Sequence, residues 1–232
     1  RSIHEQLQSL YNTEFSETTV DLKECLSIED RRAKEIMDGS VKLENGHYEI
    51  GLPWKYDEPP LPNNKSMAER RLEYLKKRLE RDPSLHAKYK ETMEEYISKG
   101  HAKRIPSSGG KNSSSNRPTW YLPHHPVTHP QKPGKVRIVF DCAAKFKDTP
   151  LNDQLLQGPD FTNSLVGVLI RFRQERVAVM ADIEKMFHQV NVKEEDAEAL
   201  RFLWWPEGDL SKQPVEHQMT VHLFGATSSP SC

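Results

Sequence analysis

Val177-Ala178-Val179-Met180-Ala181-Asp182 is a short apolar run that ends in a carboxylate. A continuous apolar run of this length is typical of a strand buried on both faces, so residues 177–181 are predicted to form one. Because burying an unpaired carboxylate is costly, an aspartate at such a strand end is usually solvated, paired or bound to a cation. Phe187 follows five positions later. This segment alone leaves two interpretations open: a metal-binding carboxylate beside an aromatic side chain, or a capping aspartate with Phe187 in the core.

The neighbouring segments predict the rest of a sheet with helices. Residues 135–141 alternate between polar and apolar as a strand does, and apolar residues recur at helical spacing after Thr162. A polar helical turn is predicted at 194–199, and strands are predicted at 200–205 and 218–224. Strands interleaved with helices favour an α+β fold with a mixed, mostly antiparallel sheet.

Residues 1–104 differ from the rest of the chain, because they are highly charged and mostly helical in pattern. Ser27 can cap a short helix, and Asn45-Gly46 between alternating apolar residues predicts a β-hairpin. Asp82-Pro83 predicts the start of the second of two further helices, with an N-cap carboxylate and a proline at the first helical position. The simplest interpretation of that helical pair is a solvated hairpin with one buried face, and a dedicated RNA-binding role is the alternative.

A linker is predicted between this helical region and residues 118–232. Residues 105–117 are rich in serine, glycine and asparagine, and such a run cannot bury apolar surface. The sequence therefore predicts a helical connecting segment, a flexible linker and a second domain.

Two segments of the second domain carry groups suited to phosphates or bases. Lys135 and Arg137 share one face of their predicted strand, because side chains alternate along a strand. Two cations on one face suit a triphosphate, and an ordinary solvated basic face is the alternative. Gly225, followed by small residues at 226–229, permits close approach of a ligand to the backbone. A simple turn after a strand explains the glycine equally well.

The composition narrows the class of protein only in part. Basic and acidic residues number 33 and 34, so the net charge carries no argument about nucleic acid. No stretch approaches the roughly 20 apolar residues of a membrane span, so no membrane partner is expected. The three cysteines are scattered, which argues against a disulfide scaffold. The histidines at 124–129 lie among prolines without a cysteine at zinc spacing, so we expect them to pack at the domain edge.

Taken together, these segments resemble the reverse-transcriptase region of BEL/Pao-type LTR retrotransposon Pol polyproteins. The motifs recur in order at suitable spacing, and the resemblance covers nearly the whole chain. In the second domain they lie at 120–127, 135–141, 151–160, 181–190, 200–205 and 223–230. In the first region they lie at 48–54, 64–65 and 68–72, which resemble the segment that precedes this domain in such polyproteins. Any one of these motifs alone would be a weak signal.

The resemblance implies a partial right-hand polymerase, made of the fingers and the start of the palm. It implies that Asp182 is the first catalytic aspartate, which binds both Mg²⁺ ions, and that the backbone carbonyl of Ile183 binds one of them. Phe187 corresponds to the aromatic gate against ribonucleotides. Arg137, with Lys135 beside it, corresponds to the fingers cations that bind the triphosphate.

The segment at 223–230 resembles the turn that contacts the nucleotide and the template. Gly225 matches its glycine, and Ser229 and Pro230 match its template and primer contacts. Phe224 stands where the common Leu-Pro-Gln-Gly pattern has glutamine, which is a departure from most reverse transcriptases. Leu-Phe-Gly is what the resemblance leads us to expect of this subfamily, and it places Phe224 at the nucleotide.

The implied activity is RNA-directed DNA polymerisation by two-metal nucleotidyl transfer, with two Mg²⁺ ions, a dNTP and an RNA or DNA template with its primer. The protease, RNase H and integrase segments of Pol would be its other partners, in a cytoplasmic virus-like particle with a nuclear phase.

The sequence contains no Tyr-x-Asp-Asp motif, whose aspartates complete the metal site of reverse transcriptases. We therefore expect the remaining carboxylates beyond residue 232 and an inactive chain. Two other hypotheses stay open: a host-retained, non-catalytic nucleic-acid-binding module, and a structural subunit of another polymerase chain.

Overall fold

The computed structural model of the chain describes residues 26–106, 118–129 and 132–232. Most of the predicted linker at 105–117 lies outside the described residues. The helices are α1 (Ile28–Ser40), α2 (Lys65–Arg81), α3 (Pro83–Ser98) and α4 (Leu165–Phe172). The strands are β1 (Lys42–Glu44), β2 (His47–Ile50), β3 (Ala102–Arg104), β4 (His124–His129), β5 (Lys132–Phe140), β6 (Val190–Val192), β7 (Arg201–Trp204) and β8 (Val215–Met219). The fold is α+β, as predicted.

Residues close in the sequence determine where the first helix begins and where the first hairpin turns. The Ser27 hydroxyl accepts a hydrogen bond from the Asp30 backbone N–H at 3.0 Å, which caps α1 as predicted. The predicted hairpin forms between β1 and β2. Asn45 and Gly46 both have positive φ, at 51° and 81°, as the favoured two-residue hairpin turn requires.

The two helices of the first region form as predicted and bury one face each. Asp82 caps α3 by accepting from the Leu85 N–H at 3.0 Å, and Pro83 occupies its first position. Gly100, with φ +75°, follows the end of α3. The buried side chains of the pair are Ala68, Leu72, Leu75, Leu79, Leu85, Tyr89, Met93 and Tyr96. The predicted buried face is therefore confirmed.

The described strands form three small sheets, and two of them join the first region to the second. The first has the order β1-β2-β6, with β2 and β6 parallel, and the second has the order β3-β8-β7. The third is the β4-β5 hairpin. One apolar cluster contains Leu52 and Leu79 from the first region together with Trp120, Phe202 and Trp204 from the second. The predicted domain boundary stays a prediction, but the two regions share sheets and a core.

The buried strand predicted at 177–181 is wrong. The segment pairs with no strand among the described residues, and Val177, Val179 and Met180 are 78%, 82% and 87% exposed. A strand needs a neighbour to satisfy its N–H and C=O groups, and an apolar run does not reveal whether the chain supplies one. The helix predicted after Thr162 does form as α4, but none of its side chains is buried.

The other three predicted strands form, but their first and last residues differ from those predicted. The strand predicted at 135–141 is β5, and the strand predicted at 200–205 is β7. The strand predicted at 218–224 is displaced, because β8 ends at Met219 and residues 220–224 form only isolated bridges. Within the described residues, no helix is long and apolar enough to span a bilayer.

Candidate functional site

Phe187 and Phe224, which lie far apart in the sequence, are in direct contact. Phe187 lies on the short 3₁₀ helix Met186–Gln189, and Phe224 follows the bridging segment after β8. Their ring centroids are 4.4 Å apart, and the rings are inclined by 62°. This edge-to-face geometry is a favoured aromatic arrangement. Phe224 is 51% exposed, so the pair presents an aromatic surface to solvent.

Gly225 brings the same turn against β5. Its φ is +113°, a conformation that residues with a side chain rarely adopt. A Cβ at this position would lie 2.9 Å from the backbone oxygen of Phe140, the last residue of β5. The glycine therefore permits the close approach that the sequence suggested, although what approaches here is the chain's own strand.

Asn152 holds the Gly225 turn from the other side. Its side-chain Nδ2 donates to the Gly225 carbonyl at 3.0 Å, and its Oδ1 accepts from the Thr227 N–H at 3.0 Å. The sequence showed Asn152 only as one residue of a motif and gave it no role. Asparagine commonly bonds to nearby backbone in turns, but its partner here is a distant turn, and no local pattern identifies it.

Ser229 and Pro230, which the resemblance assigns to template and primer, differ in exposure. The Ser229 hydroxyl is buried and donates to the Leu223 carbonyl at 2.7 Å, so it closes the turn. Pro230 is exposed on the 3₁₀ helix Ser229–Ser231. Of these two residues, only Pro230 lies at the surface.

Lys135 and Arg137 are both exposed on β5. Ile138, the next residue toward the end of the strand, is buried. Arg137 pairs with Val127 of β4 through the backbone. Neither cation forms an ion pair with another described residue. Two exposed cations therefore lie on β5, whose end packs against Gly225.

Asp182 lies in an exposed segment without regular secondary structure rather than at the end of a buried strand. Ile183 beside it is 63% exposed. Among the residues that the structure describes, no group of three or more His, Cys, Asp and Glu side chains could hold a metal ion. One carboxylate does not satisfy two Mg²⁺ ions, which bind through several oxygen ligands. The donors described here do not fit the two-metal centre that the resemblance implies.

Lys185 ties the Asp182 segment to α3. Its ammonium lies 2.6 Å from Glu95 Oε1 and 5.7 Å from the centre of the Tyr96 ring. Hydrogen bonds from Lys185 and Lys99 lower the pKa of the Glu95 carboxyl to about 2. Tyr96 also packs edge-on against His188 at 5.2 Å. The sequence did not indicate this anchor, because its two sides are distant in the chain and charged residues are frequent in both.

His124 has a structural environment rather than a metal-binding one. Its Nδ1 lies 2.5 Å from the Tyr89 hydroxyl, and its Nε2 lies 2.8 Å from the Leu203 carbonyl. The ring is buried, and burial lowers its pKa to about 4. The histidine that was expected at a domain edge instead lies in the core beside α3 and β7.

The geometry thus brings three predicted segments together, namely the Phe187 turn, the Gly225 turn and the end of β5. Asp182 belongs to no group of three or more potential metal ligands among the described residues. Comparison with known proteins adds nothing to this: no protein-family model matches the sequence, and no curated protein matches it significantly.

Proposed function

We propose that this chain is the fingers and first part of the palm of an RNA-directed DNA polymerase of the BEL/Pao retrotransposon type. The observation that carries the proposal is the contact between Phe187 and Phe224, with Gly225 packed on the end of β5. The resemblance assigns all three segments to the incoming nucleotide, and a nucleotide site requires them to be neighbours.

Each segment has a chemical part in binding a nucleotide. Arg137 and Lys135 supply positive charge for a triphosphate, and a guanidinium can bind phosphate oxygens with two parallel hydrogen bonds. Phe187 provides an aromatic face against the sugar, where an added 2′-hydroxyl would meet the ring. Phe224 supports Phe187 from the side at 4.4 Å. These residues bind and orient the nucleotide.

Nucleotide binding does not imply nucleotidyl transfer in this chain, because the metal-binding side chains of the described residues do not fit two Mg²⁺ ions. We therefore propose that the 232-residue chain binds primed template and dNTP but transfers no nucleotide. When bound in a complete polymerase, the two ions activate the primer hydroxyl and neutralise the phosphate charge. No catalytic step is assigned to this chain alone.

The test is binding of a fluorescent primer–template by anisotropy, with and without dNTP, alongside a primer-extension assay in Mg²⁺. We expect dNTP-enhanced binding that weakens at least tenfold in the Lys135→Ala/Arg137→Ala variant. Lys42→Ala, which removes an exposed cation on β1, is the matched control and should bind as the parent chain does. No primer extension is expected.

Two outcomes would overturn this proposal. If dNTP enhanced primer–template binding equally in the parent chain and in the double variant, β5 would have no role in nucleotide binding. Mg²⁺-dependent primer extension would remove the conclusion that the chain is inactive. The genomic sequence past residue 232 separates the alternatives: continuation into Tyr-x-Asp-Asp supports the polymerase, and a stop codon supports a non-catalytic binding module.

A further inference from the structure

Helix α2 sorts its side chains into separate stripes. Leu72, Leu75 and Leu79 face the core and are at most 5% exposed. Arg70, Tyr74, Lys77 and Arg81 recur at spacings of four, three and four residues and are all exposed. At 3.6 residues per turn they lie within about 60° of one another, on the side away from the core. We call these four residues the basic stripe.

The acidic residues of α2 lie on a different side. Glu69, Glu73 and Glu80 are about a quarter turn from the basic stripe. A surface helix is commonly stabilised by opposite charges three or four residues apart, and Glu73 stands four residues before Lys77. Nevertheless, Arg70, Lys77 and Arg81 form no ion pair with any described residue. The basic stripe therefore keeps its positive charge available.

An aromatic ring interrupts the cations. Tyr74 is 64% exposed, and the Lys77 ammonium lies 6.0 Å from the centre of its ring. Tyr74, Lys77, Arg78 and Arg81 line an open groove of about 620 Å³ together with Asp82 and Leu85. The Asp82 carboxylate in this groove is already engaged, because it caps α3 through the Leu85 N–H.

We propose that the basic stripe of α2 binds single-stranded nucleic acid, with Arg70, Lys77 and Arg81 on phosphates and Tyr74 stacked on a base. Cations that follow a backbone, combined with an aromatic platform, are the features of sites that bind single strands without sequence preference. From Arg70 to Arg81 the stripe spans about 16 Å, which is long enough for several consecutive phosphates. The inference rests on the proposed function, which brings a template to this chain.

The chemistry of the stripe favours nucleic acid over a membrane surface. Helices that lie on membranes insert an apolar face between the headgroups. The apolar face of α2 is buried in the core by Leu72, Leu75 and Leu79, and the exposed stripe contains no aliphatic side chain. A rigid, charged and aromatic surface remains, which suits a flexible polyanion with bases.

The test is fluorescence anisotropy with a labelled single-stranded 20-nucleotide probe of mixed sequence. The Arg70→Ala/Lys77→Ala/Arg81→Ala variant should bind at least tenfold more weakly. Because each single-strand phosphate contact contributes about 0.7 to the slope of log K against log salt, the slope should fall by about 2. The matched control is Arg31→Ala/Arg32→Ala/Lys34→Ala, which removes three cations from α1 and should change neither quantity.

Substitutions of Tyr74 test the proposed base stacking independently of the phosphate contacts. Tyr74→Ala should weaken binding about tenfold without changing the salt slope, and Tyr74→Phe should bind as the parent does. All substituted side chains are exposed or partly exposed, and circular dichroism checks that the fold is retained. Equal loss in the alanine and phenylalanine variants would overturn stacking as the role of the ring.

The remaining outcomes separate this inference from the proposed function. If the triple variant binds normally while Lys135→Ala/Arg137→Ala loses its dNTP response, the stripe inference is overturned and the proposed function stands. The opposite pattern supports the stripe and removes the nucleotide role of β5. Stripe-dependent binding to phosphatidylserine vesicles, without binding to the oligonucleotide, would overturn the assignment of the partner.

Discussion

Gly225 shows how one residue sets the candidate site. The turn at 223–227 can lie on the end of β5 only if no side chain stands between Gly225 and the Phe140 carbonyl. The same turn carries Phe224 to Phe187, and Asn152 bonds to both of its sides. The position of Phe224 therefore depends on the absence of a single Cβ.

Substituting Gly225 tests this dependence. We expect Gly225→Ala to lower the free energy of unfolding by about 1–3 kcal/mol, because the positive φ and the 2.9 Å contact both oppose a side chain. Gly39→Ala is the control, since nothing lies within 4 Å of that site in α1 and alanine favours a helix by up to about 1 kcal/mol. Urea denaturation measures both. Destabilisation of equal size in the two variants would contradict the explanation.

The sequence predicted the structural roles of those residues whose hydrogen-bond partners are close in the chain. Ser27 caps α1 three residues on, Asp82 caps α3 three residues on, and Asn45-Gly46 forms its own turn. Asn152 and Lys185 have roles that sequence patterns could not supply. Their partners, Gly225 and Glu95, are more than seventy residues away, so only the fold brings them together.

Helix α4 is the element whose environment differs most from its pattern. Its residues are almost all apolar, and a helix apolar on every side is normally buried. In the structure, Leu165, Val166 and Leu169 are 71%, 64% and 52% exposed. Periodicity predicted the helix correctly, because it reports backbone conformation. It does not report burial, because burial depends on what surrounds the helix.

Alanine substitutions on α2 and α4 measure how far a buried and an exposed leucine differ in their contribution to stability. Leu79→Ala on α2 should cost about 2–5 kcal/mol of unfolding free energy, since Leu79 is 1% exposed and its loss leaves a cavity. Leu169→Ala on α4 should change stability by less than about 0.5 kcal/mol. The comparison uses urea denaturation at low protein concentration. A large cost at Leu169 would mean that α4 is covered in solution.

The whole molecule carries several buried neutral histidines. Burial lowers the pKa of His124, His188 and His222 from 6.5 to about 4. In the unfolded chain these rings bind protons as the pH falls below 6.5, whereas in the folded chain they resist protonation until about pH 4. The folded protein therefore loses stability across that interval, and the loss is absent above pH 6.5.

This linkage gives a pH-dependent expectation. The urea midpoint should be constant above pH 7 and should fall between pH 6.5 and 4. His222→Gln keeps a donor for the Ile50 carbonyl, 3.1 Å from the ring, and should make the fall shallower. His47→Gln, at an exposed position on β2, serves as the control. Parallel curves for His222→Gln and the parent chain would contradict a role for burial at His222.

The pairing of β2 with β6 and of β3 with β8 has a consequence for how the chain folds. These sheets join Tyr48 to Val190 and Ala102 to Met219, so forming them carries the entropic cost of bringing together the ends of long loops. Folding rates fall as contacts become less local. During synthesis, β2 and β3 must wait for their partners β6 and β8 to leave the ribosome. Until then these edges are open to pairing with other chains, so we expect aggregation during folding to rise with protein concentration.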